Sequence, residues 1–205
     1  MKNNIEVELR GPLTEEDYNR LNDFFNQKAE KKKTKKRILI DYTTCIEGED
    51  IRNRSIDIRA RITNEVPEII IKIGKWKGSD VRKEISVLLQ KGQFSNLVQA
   101  YAALGYKKGI LCIRNSVIYN YNDVEFALVE VPGHSYFFEA EILASSEAEI
   151  KTAQNKIKEA CKGLELKLFS DADWFNYIES LNKDANKLFD IEKDGEDYFI
   201  KKYGI

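Results

Sequence analysis

Ile5-Glu6-Val7-Glu8-Leu9-Arg10 alternates strictly between apolar and charged side chains. In an extended strand successive side chains point to opposite faces, so Ile5, Val7 and Leu9 share one face and Glu6, Glu8 and Arg10 the other. The device recurs along the chain. Residues 55–63 set Ile56, Ile58, Ala60 and Ile62 against Asp57, Arg59 and Arg61, and residues 69–73 carry the lone charge of Lys72 between isoleucines. Residues 82–88 set Arg82, Glu84 and Ser86 against Lys83, Ile85 and Val87, and residues 137–142 set Glu139 and Glu141 against Phe138, Ala140 and Ile142. Further strands are expected over residues 38–43, over 109–121 with Cys112, Arg114 and Ser116 on one face, and over 126–131 with Glu130 on the face of Phe126 and Leu128.

Helical spacing intervenes between these segments. Gly11-Pro12 breaks the first strand, and Thr14 caps a helix to about Lys28 whose stripe is Tyr18, Leu21, Phe24 and Phe25. A short amphipathic helix over 94–104 stops at Gly105, and a longer one from Ser145–Ser146 runs to about Cys161, ended by Gly163. Ser170-Asp171 opens a last helix with Trp174, Tyr177, Ile178 and Leu181 on its core face. The basic run 31–37 reads as a solvated turn, or as a patch that steers a polyanion to a nearby mouth. Residues 74–80 form a hairpin connection in which Trp76 either stacks on a base or covers a helix, and His134 sits in the turn after Gly133. Residues 182–205 are polar and weakly periodic and read as a peripheral C-terminal extension to a domain spanning 1–181.

About eight strands joined mostly by short turns, with amphipathic helices between them, indicate an α+β protein on an antiparallel sheet. Its polar face is unusual, because it is built of Arg and Glu in pairs two residues apart. A sheet whose apolar face is covered by helices and whose charged face turns inward is a closed eight-stranded β-barrel, a tunnel with a charged lumen. Such a lumen is costly to fold, and its natural guest is a highly charged anion with a divalent metal, since guanidinium forks match phosphate oxygens and carboxylates take the cation.

Composition narrows the choice. Of 205 residues 42% are hydrophobic and 33% charged, with 33 Lys and Arg against 34 Asp and Glu, so no global basic excess advertises nucleic acid. Cys45, Cys112 and Cys161 are too far apart for a disulfide framework or a zinc motif, and with a single histidine a zinc site is not expected. The first strand leaves no room for a signal peptide, and no apolar run nears the roughly 18 residues that span a membrane. A cytoplasmic protein, monomeric or homodimeric, is expected, with no membrane and no specific nucleic acid among its partners.

Several stretches, taken in order, resemble the CYTH, or triphosphate tunnel metalloenzyme, superfamily, which includes class IV adenylyl cyclases, thiamine triphosphatases and inorganic triphosphatases. Glu6-Val7-Glu8-Leu9-Arg10 is similar to its Glu-x-Glu-x-Lys signature. Asp41-Tyr42, Ile58-Arg59-Ala60-Arg61, Ile71-Lys72, Arg82-Lys83-Glu84, Leu104-Gly105-Tyr106, Glu130-Val131-Pro132-Gly133 and Phe137-Phe138-Glu139-Ala140-Glu141 resemble its later segments, over roughly residues 3–180. Arg10 stands where the signature has Lys, Cys112 with Arg114 where many members have Lys-x-Arg, and Glu130 where Asp is usual.

The resemblance implies Mg²⁺ or Mn²⁺ held by Glu6, Glu8, Glu139 and Glu141, with Glu84 and Glu130 as secondary ligands. Arg59, Arg61, Lys72, Arg82 and Arg114 would grip a small-molecule triphosphate. Glu6, Glu8 and Arg10 would be the catalytic set, Arg10 either gripping phosphate or orienting water. The implied activity is metal-dependent hydrolysis of inorganic triphosphate, a nucleoside triphosphate or thiamine triphosphate. The alternatives are a class IV-type adenylyl cyclase and a non-catalytic polyphosphate- or nucleotide-binding module.

Overall fold

A computed structural model describes residues 5–75 and 79–205. Trp76 lies outside the described residues. The strands are β1 (Ile5–Leu13), β2 (Glu30–Asp41), β3 (Ile56–Thr63), β4 (Val66–Ile73), β5 (Ser79–Leu88), β6 (Lys108–Tyr121), β7 (Val124–Val131), β8 (Ser135–Ala144) and β9 (Lys187–Asp190). The helices are α1 (Glu15–Lys28), α2 (Phe94–Ala103), α3 (Ile150–Gly163), α4 (Asp171–Asp184), α5 (Ile191–Asp194) and α6 (Tyr198–Tyr203). The sheet runs β2-β3-β4-β5-β1-β8-β7-β6, every described pairing is antiparallel, and β2 pairs with β6 to close an eight-stranded barrel. The expected α+β barrel is therefore the fold found.

The period-two pattern explains which side is in. Val7, Leu9, Phe126, Leu128, Phe138 and Ala140 face outward and pack under α1 and α3 with Leu21, Phe25, Ile157 and Cys161. Ile40, Ala60, Ile62 and Leu111 do the same under α2, joined by Phe189 and Phe199 from the C-terminal segment. That segment is docked: β9 pairs with the start of β6, Lys108 opposite Asp190, where β7 does not reach.

Three expectations about elements are corrected. The basic run is not a turn but the first half of β2, paired with β6 from Glu30 onward around a bulge between Lys31 and Lys33. Gly11-Pro12 does not end β1. Beyond Leu9 the strand pairs, among the described residues, with β8 alone, an edge-like position that tolerates Pro12. Gly11 is required because residue 167 crosses it: a Cβ there would lie 1.8 Å from the Lys167 carbonyl oxygen, and the Phe169 amide donates to the Arg10 carbonyl at 2.8 Å. Finally, a 3₁₀ turn over Glu147–Glu149 precedes α3, whose first residue is Ile150.

Helix α4 does something the amphipathic pattern did not reveal. Its Trp174, Phe175 and Leu181 pack with Val129, Val131 and Phe137, residues of the inner face. The helix thus lies across one end of the barrel instead of on its outer wall. Ser170 caps it with a reciprocal capping box to Asp173.

One side of the barrel is locked by a buried ionic cluster. Asp57 is fully buried and receives Arg54 at 2.7 Å, Arg59 at 2.6 Å and Arg82 at 2.5 Å, while Arg54 also reaches Asp41 at 3.0 Å. Burial works against the Asp57 charge, but Arg59, Arg54 and Arg82 outweigh it and hold the carboxyl down at about 2. Replacing Asp57 leaves three guanidinium groups without their shared anion, so Asp57→Ala is expected to cost about 3 kcal/mol, read as a drop in Tm. The Asp57 contribution is present above its unfolded value near 4 and is lost as pH falls toward 2, so the gap in Tm between wild type and variant should narrow across that window.

Candidate active site

The lumen holds a cavity of about 220 Å³ whose lining carries six carboxylates, Glu6, Glu8, Glu84, Glu125, Glu139 and Glu141, and six cations, Arg10, Lys35, Arg37, Arg59, Arg61 and Lys72. The signs are sorted by strand. The acids Glu125, Glu139, Glu141, Glu6 and Glu8 come from three adjacent strands, β7, β8 and β1. The cations Arg59, Arg61, Lys35 and Arg37 come from β3 and β2 across the barrel. Register places Glu8 opposite Glu141 and Arg10 opposite Glu139 on the β1–β8 pair, with Glu125 opposite Glu141 on β7.

Most of these charges are already matched. Lys72 donates to Glu6 and lies 3.3 Å from Glu84. Arg61 meets Glu68 at 2.6 Å. Arg10 donates to Glu8 at 2.5 Å, its Nε lies 3.5 Å from Glu139, and its guanidinium carbon lies 4.7 Å from the centre of the Trp174 ring on α4. A guanidinium, unlike an ammonium, has a flat face for that ring, which gives a physical role to Arg where the signature has Lys. Lys35, Arg37 and Glu141 differ. None of the three has an ion-pair partner among the described residues, and Arg37 Nε is buried without a hydrogen bond.

The electrostatics follow from this arrangement. Burial pushes the Glu8 carboxyl well above the usual range, with Arg10 drawing it back only in part. Burial and the neighbouring Glu6 lift Glu141 to about 8. Burial also acts on Glu139, but Arg10, Arg37 and Lys72 prevail and hold it low. Burial opposes the Lys72 charge, yet Glu6, Glu8 and Glu84 raise it. On the facing wall burial lowers Arg37, with Arg61 adding to it, and burial lowers Lys35 with help from Arg37 and Lys33. The acid wall therefore wants positive charge and the basic wall wants negative charge.

The structure brings together Glu6, Glu8, Arg10, Arg59, Arg61, Lys72, Glu84, Glu139 and Glu141 on the one cavity. It does not bring Arg82, Arg114 or Glu130 there. Arg82 is buried against Asp57. Arg114 lies in an adjoining chamber and donates to Asn186 at 3.1 Å. Glu130 has the parity of Phe126 and Leu128, the outward face, and accepts from Asn115 at 3.0 Å. His134 bonds the neighbouring Ser135 and is in neither cavity. Lys35, Arg37 and Glu125 were missed. Counting back by twos from Leu39 would have placed Lys35 and Arg37 on the inner face, and starting β7 at Val124 would have found Glu125.

A hard divalent cation fits the acid wall. Glu8 and Glu139 both lie against the Arg10 guanidinium, at 2.5 and 3.5 Å, Glu141 stands opposite Glu8 in register, and Glu6 lines the same cavity. Among the described residues no three acidic, His or Cys side chains already form a coordination group. Binding would have to turn Glu6 from Lys72 and Glu8 from Arg10.

The barrel is a closed eight-stranded antiparallel tunnel. No protein-family model and no curated protein matches the sequence. Solved structures do match. The PH1819 protein from Pyrococcus horikoshii OT3 superposes with a TM-score of 0.71 at 23% identity, over 85% of this chain and 98% of that one. HpAC1 from Hippeastrum, named for adenylyl cyclase with a dominant triphosphatase activity, gives 0.57 at 15%, over 86% and 95%. A chain of the Schizosaccharomyces pombe Mediator head module gives 0.58 at 10%, over 80% and 97%. At these identities the likeness establishes the fold and leaves the activity to the lumen. Among the described residues no helix is long and apolar enough to cross a membrane.

A metal ligand must be deprotonated, so cation binding at the acid wall is expected to expel the proton held by Glu141. Titrating Mn²⁺ by calorimetry in buffers of different ionisation enthalpy should show proton release near neutral pH and tighter binding as pH rises through about 8. Glu8→Gln with Glu141→Gln should abolish both.

Proposed function

We propose that the protein hydrolyses the terminal phosphate of a triphosphate compound held in the lumen. The observation that carries this reading is the opposition of two walls: Lys35 and Arg37, cations with no ion-pair partner among the described residues, share one cavity with the carboxylates of β1, β7 and β8. A triphosphate lying between them takes its counter-charge from both sides. The similarity to HpAC1, with its dominant triphosphatase activity, supports the same reading.

In this reading Lys35, Arg37, Arg59 and Arg61 neutralise the phosphate oxygens, Arg by forked hydrogen bonds. Asp57 and Glu68 hold the last two guanidinium groups in place. Lys72, kept in place by Glu84 when Glu6 turns to the metal, adds a further donor. Arg10, held by its stack on Trp174, stays beside the acid wall. A Mg²⁺ or Mn²⁺ ion held by Glu6, Glu8, Glu139 and Glu141 would neutralise charge on the phosphates and acidify the attacking water. Phosphoryl transfer asks chiefly for positioning and charge neutralisation, which these side chains provide.

Phosphate release from a panel of triphosphates with Mg²⁺ or Mn²⁺ tests the proposal. Turnover is expected, and Lys35→Ala with Arg37→Ala should lower kcat/KM at least about a hundredfold, the scale of two lost charge-assisted contacts. Cyclic AMP and pyrophosphate from ATP, with no phosphate, would make it a cyclase. Triphosphate-dependent thermal stabilisation without turnover would make it a binding module.

A further inference from the structure

One wall of the barrel lacks the cover that the others have. On the outer face of β3, β4 and β5, register sets Ile73 between Ile56 and Lys83. In the next row Ile71 lies between Ile58 and Ile85, and in the third Ile69 meets Val87. Ile58 and Ile69 pack partly against the core under α2. The rest is bare: Ile56 is 36%, Ile85 39%, Ile73 44% and Val87 49% exposed. Among the described residues, no β5 side chain joins the packing under α1, α2, α3 or α4. The period-two pattern thus carries apolar residues onto a face that no helix covers, and a contiguous exposed apolar face marks an interaction surface.

We infer that a second copy of the chain covers this wall, joined across a two-fold axis. The face is complementary to itself in shape and in charge. Ile73, Ile85 and Val87 form an exposed apolar strip. Beside it, between β5 and the start of α3, runs a groove of about 480 Å³, apolar through Ile5, Val81 and Ile150 and carrying Lys83 and Glu147. In a two-fold contact both partners use the same patch, so residue i meets j and j meets i. A strip next to a groove is a shape that this symmetry closes, the strip of each copy lying along the groove of the other. Lys83 and Glu147 are both exposed, and neither has an ion-pair partner among the described residues. Across the two-fold, Lys83 of each copy meets Glu147 of the other, and both charges are matched twice over.

Other occupants match the wall less well. An anionic membrane surface is read by a cluster of about four to eight basic residues, whereas here Lys83 shares its groove with Glu147, one charge of each sign. A small ligand is held in a concave site that buries most of it, and the open sheet face gives no such enclosure. The joint lies on the outside of the barrel. None of Ile73, Lys83, Ile85, Val87 and Glu147 lines the charged cavity, so each copy keeps its own lumen and the inference does not depend on the triphosphatase reading.

Sedimentation equilibrium of the full chain tests this. Wild type is expected to be a dimer in the micromolar range, and Ile85→Asp a monomer that keeps its fold by circular dichroism. Lys83→Glu and Glu147→Lys each set like charges against one another at both ends of the joint, so each alone should weaken self-association at least about tenfold. Mixed in equal amounts, the two variants should associate with each other as tightly as wild type does with itself, because both cross-pairs again join opposite charges. If Ile85→Asp fails to fold, the charge variants and their mixture decide alone. A wild type that stays monomeric, a dimer whose affinity the charge variants leave within about twofold, or a mixture that associates no better than either variant alone overturns the inference. Monomeric protein that sediments with vesicles of phosphatidylcholine and phosphatidylserine gives the wall to a membrane and overturns it as well.

Discussion

Charge compensation inside a closed barrel governs the rest of this structure. An ion taken out of water costs several kcal/mol, and a one-signed lumen of six such groups would not fold. The chain answers with six carboxylates and six cations on one cavity, most of them paired, as Lys72 is with Glu6 and Glu84 and Arg10 with Glu8. The pairing is incomplete where it matters. Neither Lys35 and Arg37 on one side nor Glu141 on the other has an ion-pair partner among the described residues. A guest that brings phosphate to the first pair and a divalent cation to the acid wall completes what folding left open.

Closure and capping follow from the same requirement. The lumen exists only because β2 reaches β6, and β2 brings Lys35 and Arg37 with it, so the strand that seals the barrel also supplies the cations that folding leaves unmatched. The other end is handled by α4, whose apolar residues pack on the inner face of β7 and β8 and whose Trp174 stacks on Arg10. That stack connects the capping helix to Glu8 and Glu139, which Arg10 contacts. The buried Asp57 cluster plays the matching part on the basic side, fixing Arg59 in its orientation toward the cavity.

Much of this was legible in the chain. The strict alternation of β1, β3 and β8 exposed the charged face directly, because helices cover the opposite face and force it to be apolar. The first half of β2 gave no such sign. Lys32, Thr34 and Lys36 on its outer face are solvent-exposed, so no apolar periodicity marks them and the run reads as a turn. Arg82 illustrates a different limit: alternation gives the face a side chain points to, but not whether a fully buried Asp57 meets it there. Glu130 and Glu125 differ by one flip of parity, which only the start of β7 decides. The place of α4 was hidden for a related reason, since a helix that plugs a barrel and one that covers its wall need the same apolar stripe.

The central claim is that the two walls close on a triphosphate and its metal. A crystal structure with Mn²⁺ and a non-hydrolysable triphosphate analogue tests it most directly. The account predicts phosphates within hydrogen-bonding distance of Lys35, Arg37, Arg59 and Arg61, and the metal on Glu6, Glu8, Glu139 and Glu141 with Glu6 released from Lys72. An analogue found on the outer surface, with Lys35 and Arg37 untouched and Glu6 still on Lys72, would contradict it.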